Sequence, residues 1–147
     1  MYRKILVATD GSALSKKAVR SAIELASAVG AEIVALYVAA RYPTSFFEGG
    51  AAMRMEDIER VEQHWADKGR AIVDAVQLAA EAEGVKARAT VSRSDLVAEA
   101  IMAAAKKHKC DLVVMASHGR KGIKRILLGS ETLHVLTHSA IPVLVLR

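Results

Sequence analysis

The chain predicts an α/β fold in which a parallel sheet is covered by helices on both faces. Short apolar runs of strand length alternate with longer stretches whose apolar residues recur every three to four positions. The runs at 4–9, 32–39 and 111–116 are apolar almost throughout, as central parallel strands buried on both sides require. Strand and helix patterns then follow one another to the last residue, which favours a parallel sheet over hairpins or bundles. The 147 residues are 52% apolar and 25% charged, an ordinary globular composition, and suit one domain over 1–147. No internal repeat, linker or low-complexity tract divides them.

"KILVAT" (Lys4–Thr9) is the first strand, closed by the turn-like "DGS". From Ser12 the period changes: Leu14, Ala18, Ile23, Leu25, Ala26 and Val29 share one broad helical stripe, and Gly30 supplies the stop. "EIVALYVA" (Glu32–Ala39) is the second strand. "ARYPTSFFEGGAAMR", with Pro43, Gly49 and Gly50, reads as an irregular, mobile loop over Arg41–Arg54. A long helix follows, with Ile58, Val61, Trp65, Ile72, Val76 and Ala80 on its stripe and Gly84 at its end. Trp65 on that stripe is expected in the core. "KARATVSR" alternates and suits a sheet edge with one wet face. Ser94 or Asp95 is expected to cap the next helix, whose stripe is Leu96, Val97, Ala100, Ile101 and Ala104. "DLVVMAS" is a buried strand, a short helix runs from about Ser130 to His138, and "IPVLVLR" closes as a fifth strand. Pro142 stands at its start, where a missing donor is tolerated.

The formal charge is +5, and Arg120, Lys121, Lys124 and Arg125 fall together in "SHGRKGIKRILLGSET", residues 117–132. Such a cluster favours an anionic partner, or is simply a solvated basic surface. Cys110 is the one cysteine and reads as a small buried thiol. The opening "MYRKILVATDGS" has no apolar h-region ending in a cleavage site, and no 18 apolar residues run together. A cytoplasmic protein with no membrane span is therefore expected.

In an open parallel sheet, ligands bind beyond the carboxyl ends of the strands, where the strand order reverses. The loops to inspect are "ATDGS", "YVAARYP" and the basic loop after the fourth strand. Neither a P-loop nor a GxGxxG after the first strand is present. What remains is Gly129–Ser130 at a helix start, where free N–H groups and a partial positive charge suit phosphate. Equally, Ser130 caps its helix and Gly119 turns the chain. Asp10 follows a strand end, placed to meet a ribose, a metal ion or backbone donors, or to cap the helix near Ser12. No catalytic residue can be named: a GxSxG elbow is absent, and His134 and His138 lack a third metal ligand. These two are read as surface or helix-end histidines, and His118 as a loop-ordering residue within reach of a phosphate. All six aromatics lie before residue 66, so the basic loop has no stacking partners and nucleic acid is not expected.

These residues resemble the universal stress protein family, over essentially all 147 positions. The likeness rests on "KILVATDGS", "DLVVMASHGR" and "LLGSETLHVLTHSAIPVLVLR". It implies a Rossmann-like open five-stranded parallel sheet of order 3-2-1-4-5, with the first and fourth strands adjacent at the switch point. Nucleotide-binding members carry G-x2-G-x9-G-S/T and bind ATP there. The resemblance places Gly119, Gly129, Ser130 and Thr132 around the phosphates. Ala8, Thr9 and Asp10 line the adenosine side, with Val38 against the adenine and Met115 nearby. ATP is the implied ligand, with ADP or AMP as alternatives, and Mg2+ or Mn2+ is a reasonable companion, with Asp10 the nearest candidate carboxylate.

Two positions depart from the pattern. Ala116 stands where the first motif glycine belongs, which is expected to bring a methyl group into the ligand's path. Glu131 follows Ser130 where an apolar residue is usual; a carboxylate suits a helix N-terminus yet repels a triphosphate placed there. The family order makes "VLVLR" an edge strand, and edges invite pairing, so a homodimer through the C-terminal strand is expected. The function implied is a stress-response regulatory protein that binds an adenine nucleotide, with at most slow ATP hydrolysis. The alternative is a dimeric stress protein that acts through unidentified protein partners without nucleotide.

Overall fold

The computed structural model describes residues 1–43, 54–119 and 128–147. In chain order the elements are β1 (Lys4–Ala8), α1 (Ala13–Val29), β2 (Glu32–Ala39), α2 (Met55–Ala82), β3 (Ala87–Arg93), α3 (Val97–Lys107), β4 (Leu112–Ala116), α4 (Ser130–His138) and β5 (Val143–Leu146). The strands form one sheet of order β3-β2-β1-β4-β5, the order implied by the family resemblance. All four neighbouring pairs are parallel. At its centre Val7 lies between Ala35 of β2 and Val114 of β4.

The period-2 alternation of the strands sends their side chains into two cores, one on each face. On the first face Ile5, Val7, Ile33, Ala35, Leu112 and Val114 pack against α1 and α2. On the second, Leu6, Val34, Leu36, Val113 and Met115 pack against α3 and α4 through Ala98, Ile101, Ala104 and Val135. β3 is an edge strand and only partly buried, as its alternating sequence suggests.

Among the described residues, α1 alone of the four helices has its N-terminus capped by the side chain of its own N-cap residue. Ser12 caps α1 by accepting from Ser15 N, and Gly30 ends it in the left-handed conformation (φ 73°). Neither Ser94 nor Asp95 caps α3, contrary to expectation. The N-cap position is held by Leu96, which offers no side-chain acceptor. The Ser94 hydroxyl accepts instead from Leu96 N at 3.0 Å, and Asp95 accepts from Arg41 N at 3.0 Å.

Trp65 is also placed differently from expectation. It is half-buried, belongs to neither core cluster, and stacks on Tyr42 with ring centroids 6.4 Å apart and planes 14° from parallel. The buried line of α2 runs through Ala66, Gly69, Val73, Val76 and Ala80: as expected at Val76 and Ala80, but one residue on from Trp65 and Ile72 at Ala66 and Val73. Gly69 explains the shift: a Cβ there would overlap the Tyr37 ring, so the missing side chain lets the helix settle on β2. The loop expected over Arg41–Arg54 falls largely on residues 44–53, outside the described residues.

At the opposite edge of the strands from their carboxyl ends, Asp111 ties β1 to the start of β4. Its carboxylate accepts from Arg3 N at 2.9 Å and Lys4 N at 3.0 Å. Burial pulls its pKa upward, but the hydrogen bonds from these N–H groups and its own, with the N-terminal charge, hold it below the usual carboxylate range. A pKa lowered in the folded state means the stabilisation is complete above about pH 4, the unfolded value, and fades as pH falls below it. Asp111→Asn is expected to remove about 1 kcal/mol at pH 7 and much less at pH 3. Urea titrations at the two pH values test this, and equal losses at both would refute it.

Cys110 is buried, as expected, and burial pushes its thiol up to about 11, so it stays protonated and unreactive at neutral pH. Among the described residues, no helix is long and apolar enough to cross a membrane.

Candidate functional site

β1 and β4 are neighbours whose following connections lead to opposite faces of the sheet, so a crevice opens beyond their carboxyl ends. The turn after β1 forms one lip and is held by its own side chains. Thr9 and Ser15 are buried, with their hydroxyls 3.0 Å apart. Ser15 Oγ donates to Ser12 O at 3.0 Å, which leaves Thr9 as the donor to Ser15 Oγ. Thr9 Oγ1 in turn accepts from Gly11 N at 3.2 Å, and Asp10 Oδ1 accepts from Ser12 N at 2.9 Å. Gly11 has φ 79°, a conformation that costs a side-chain-bearing residue energy, and so lets the turn double back toward α1.

The other lip is built by β4 and α4. Ser117 N donates to Leu146 O at 2.7 Å and Gly129 N to Ser117 O at 2.7 Å, closing the ends of the basic loop onto the sheet. A Cβ on Gly129 would lie 3.3 Å from Ser117 O, and one on Gly119 only 2.6 Å from Asp10 Oδ2. The two glycines thus allow backbone segments to approach where a side chain would wedge them apart. Thr132, 3% exposed, fixes α4 to β4 by donating from Oγ1 to Ala116 O at 3.0 Å. His118 Nδ1 and Ser117 Oγ are 3.2 Å apart, the loop-ordering contact expected of this histidine.

Ser130 does not cap α4. The N-cap position belongs to Gly129, which has no side chain to accept from the first-turn N–H groups. Without a side-chain cap from its N-cap residue, the start of α4 brings first-turn donors and the positive end of a helix dipole to the crevice.

Between the lips lies a cleft of about 490 Å3. Ala8, Thr9, Asp10, Val38, Met115, Ala116, Gly119, Gly129, Ser130, Glu131 and Thr132 all line it, so the positions matched to the family's nucleotide motif and its surroundings come together in one place. The chain reading missed Ser15, Leu36, Tyr37, Val97 and Ile101 as lining residues. Val97 and Ile101 are four apart on the α3 stripe, so their shared face was visible, but only the fold shows that its first turn borders the cleft. The lining is of two chemical kinds. Leu36, Val38, Val97, Ile101 and Met115 make an apolar part, and the start of α4 makes a polar one.

Ala116 faces two environments. Besides lining the cleft, it belongs to the core on the α1 side, with Leu112 and Val114. Met115, one residue earlier, points the other way, toward α3. Glu131 is placed in an unexpected way. Its Oε2 accepts from Ala98 N at 2.9 Å and so supplies the acceptor that α3 lacks at its own N-cap.

His134 and His138 sit with rings 4.5 Å apart. His134 Nε2 lies 3.4 Å from Glu99, and His138 Nδ1 lies 3.0 Å from His134 O at the end of the helix. Among the described residues, no three His, Cys, Asp or Glu converge as a metal site. Arg120, Lys121, Lys124 and Arg125 lie outside the described residues.

Comparison with known proteins agrees on one family. A family model for the universal stress protein family matches residues 1–147. The universal stress protein MJ0531 of Methanocaldococcus jannaschii is 35% identical over 147 residues, spanning 100% of this chain and 83% of that protein. Among solved structures, the MJ0577 protein of the same organism superposes with a TM-score of 0.84 at 26% identity, covering 99% of this chain and 96% of the other. A universal stress protein solved in complex with cAMP gives a TM-score of 0.68 at 27% identity, with 99% and 97% covered.

Proposed function

The chain belongs to the universal stress protein family, and we propose that it is a stress-response regulatory protein whose cleft binds an adenine nucleotide, ATP or a relative with fewer phosphates. The observation that carries this reading is the mixed lining of one cleft. The first-turn N–H groups of α4, which its N-cap glycine does not cap, suit a phosphate. Val38, Met115, Val97 and Ile101, which pack together on the α3 side, suit a flat, weakly polar ring. A solved relative of similar fold carries cAMP, an adenine nucleotide. Gly119 and Gly129 let the two lips approach closely, since a Cβ at either would crowd Asp10 or Ser117 and His118.

In this reading Ser130 gives its N–H and hydroxyl to phosphate, Thr132 keeps the helix start seated on β4, and Asp10 faces the nucleoside from the opposite lip. A Mg2+ or Mn2+ ion would arrive with the phosphates and neutralise their charge. We read the site as one of occupancy rather than turnover, in a cytoplasmic protein of one domain over 1–147. β5 is an edge strand of the sheet, and its Leu144 is 40% exposed, which supports pairing of two chains through β5 into a homodimer.

Protein purified without added nucleotide, denatured and passed over an anion exchanger, is expected to release an adenine nucleotide absorbing at 260 nm, near one per chain. Where the ligand has washed off, calorimetric titration with ATP or AMP should still saturate. A clean elution together with flat titrations at millimolar nucleotide and Mg2+ would overturn the reading and leave a protein that works through partners alone. Light scattering at micromolar concentration tests the dimer, and a monomer would refute it.

A further inference from the structure

Glu131 stands where the N-termini of two helices meet. It lies in the first turn of α4, beside the N–H groups assigned above to phosphate, and its carboxylate reaches Ala98 N in the first turn of α3 at 2.9 Å. Both walls border the cleft, α3 through Val97 and Ile101 and α4 through Ser130 and Thr132. We propose that Glu131 is a specificity-determining residue that tunes this cleft toward nucleotides of low phosphate charge, a nucleoside monophosphate or its cyclic form over a triphosphate; the proposal rests on the nucleotide reading above.

The charge balance gives the reason. Each helix N-terminus carries roughly half a positive charge, and one carboxylate set between two of them roughly cancels both. A first phosphate still gains the directed hydrogen bonds of the α4 turn. Further phosphates add negative charge against a carboxylate that is already there, and gain little field in return. Among the described lining residues the ionisable groups are the carboxylates of Asp10 and Glu131, the imidazole of His118 and the phenol of Tyr37, with no Lys or Arg. Glu131 is not free to swing aside. Leu96 gives α3 no side-chain cap, so withdrawing the carboxylate would strip Ala98 N, on a fully buried residue, of its acceptor.

Two substitutions separate the charge from the tether. Glu131→Gln keeps an oxygen for Ala98 N and removes the charge, whereas Glu131→Ala removes both. Calorimetric titration of wild type and both variants with ATP and with AMP, in low salt without divalent cations, reads the effect. Glu131→Gln is expected to tighten ATP on the order of tenfold and AMP by less than about threefold, with the gain shrinking as salt is raised. Glu131→Ala should show the same shift in selectivity with a lower melting temperature. An unchanged ATP-to-AMP ratio in Glu131→Gln would overturn this proposal while leaving the nucleotide site intact. Failure of every protein to bind either nucleotide would overturn the site and this proposal together.

Discussion

Leu6→Ala is expected to lower the free energy of unfolding by about 2–5 kcal/mol. Leu6 is fully buried in β1, the middle strand of the sheet, and packs in the core that β1, β2 and β4 share with α3 and α4. Removing its branched end forfeits the transfer free energy of those carbons. It also leaves a cavity between strands that cannot close, because β1 is hydrogen-bonded on both sides. Domains of this kind have about 5–15 kcal/mol to lose, so the variant stands near the limit of folding. A urea titration should show the midpoint falling with an unchanged slope. Leu78→Ala serves as the comparison, since Leu78 is 68% exposed on α2; its effect should stay within about 0.5 kcal/mol. Similar losses at the two positions would mean that the burial described here does not decide stability.

The contrast between those leucines also shows what the chain alone could and could not tell. The strands were readable because β1, β2 and β4 are covered on both faces and so are apolar at almost every position. Buried helix faces were readable in part: Ala18, Ala26, Ala80 and Ala104 fell on the expected stripes, whereas Val19 did not. Ile23, Val76 and Ile101 announced themselves, while Ser15, Ala22, Ala66 and Gly69 did not. These small residues are buried because they let helix and sheet approach, and no count of apolar side chains registers that. Trp65 was misplaced for the same reason: the stripe through it had the right period, but Gly69 and Tyr37 set the helix a step round.

The candidate site was legible through residue types and spacing, and illegible in direction. That Gly119, Gly129 and Ser130 would share a neighbourhood follows from their order and from the place of the switch point in a sheet of this topology. Which way Ala116 points depends on strand phase, and phase is fixed by β4 pairing in register with β1 and β5. The partner of Glu131 is 33 residues away on another helix, and it is needed because Leu96 fails as a cap. A missing cap is visible in a sequence; the residue that replaces it across a tertiary contact is not.

The placement of Ala116 and Gly119 sets up opposite expectations for two small changes at the cleft. Gly119→Ala is expected to weaken adenine-nucleotide binding by roughly 5- to 100-fold, the equivalent of about 1–3 kcal/mol of overpacking. A methyl there meets Asp10 Oδ2 at 2.6 Å, and Asp10 cannot simply yield, because its other oxygen holds Ser12 N at the start of α1. Either the turn after β1 shifts or the β4 lip lifts, and each moves one side of the cleft relative to the other. Ala116→Gly restores the glycine usual in nucleotide-binding members, yet it should change affinity by less than about threefold, because Ala116 belongs to the α1-side core. Its expected effect is on stability, about 1 kcal/mol for a glycine inside a strand. Titrations of AMP and ATP into both variants, after circular dichroism shows them folded, decide the matter. A tenfold gain in Ala116→Gly would mean that the methyl does stand in the ligand's path. Wild-type affinity in Gly119→Ala would mean that the nucleotide, if it binds, does not require the two lips at their present distance.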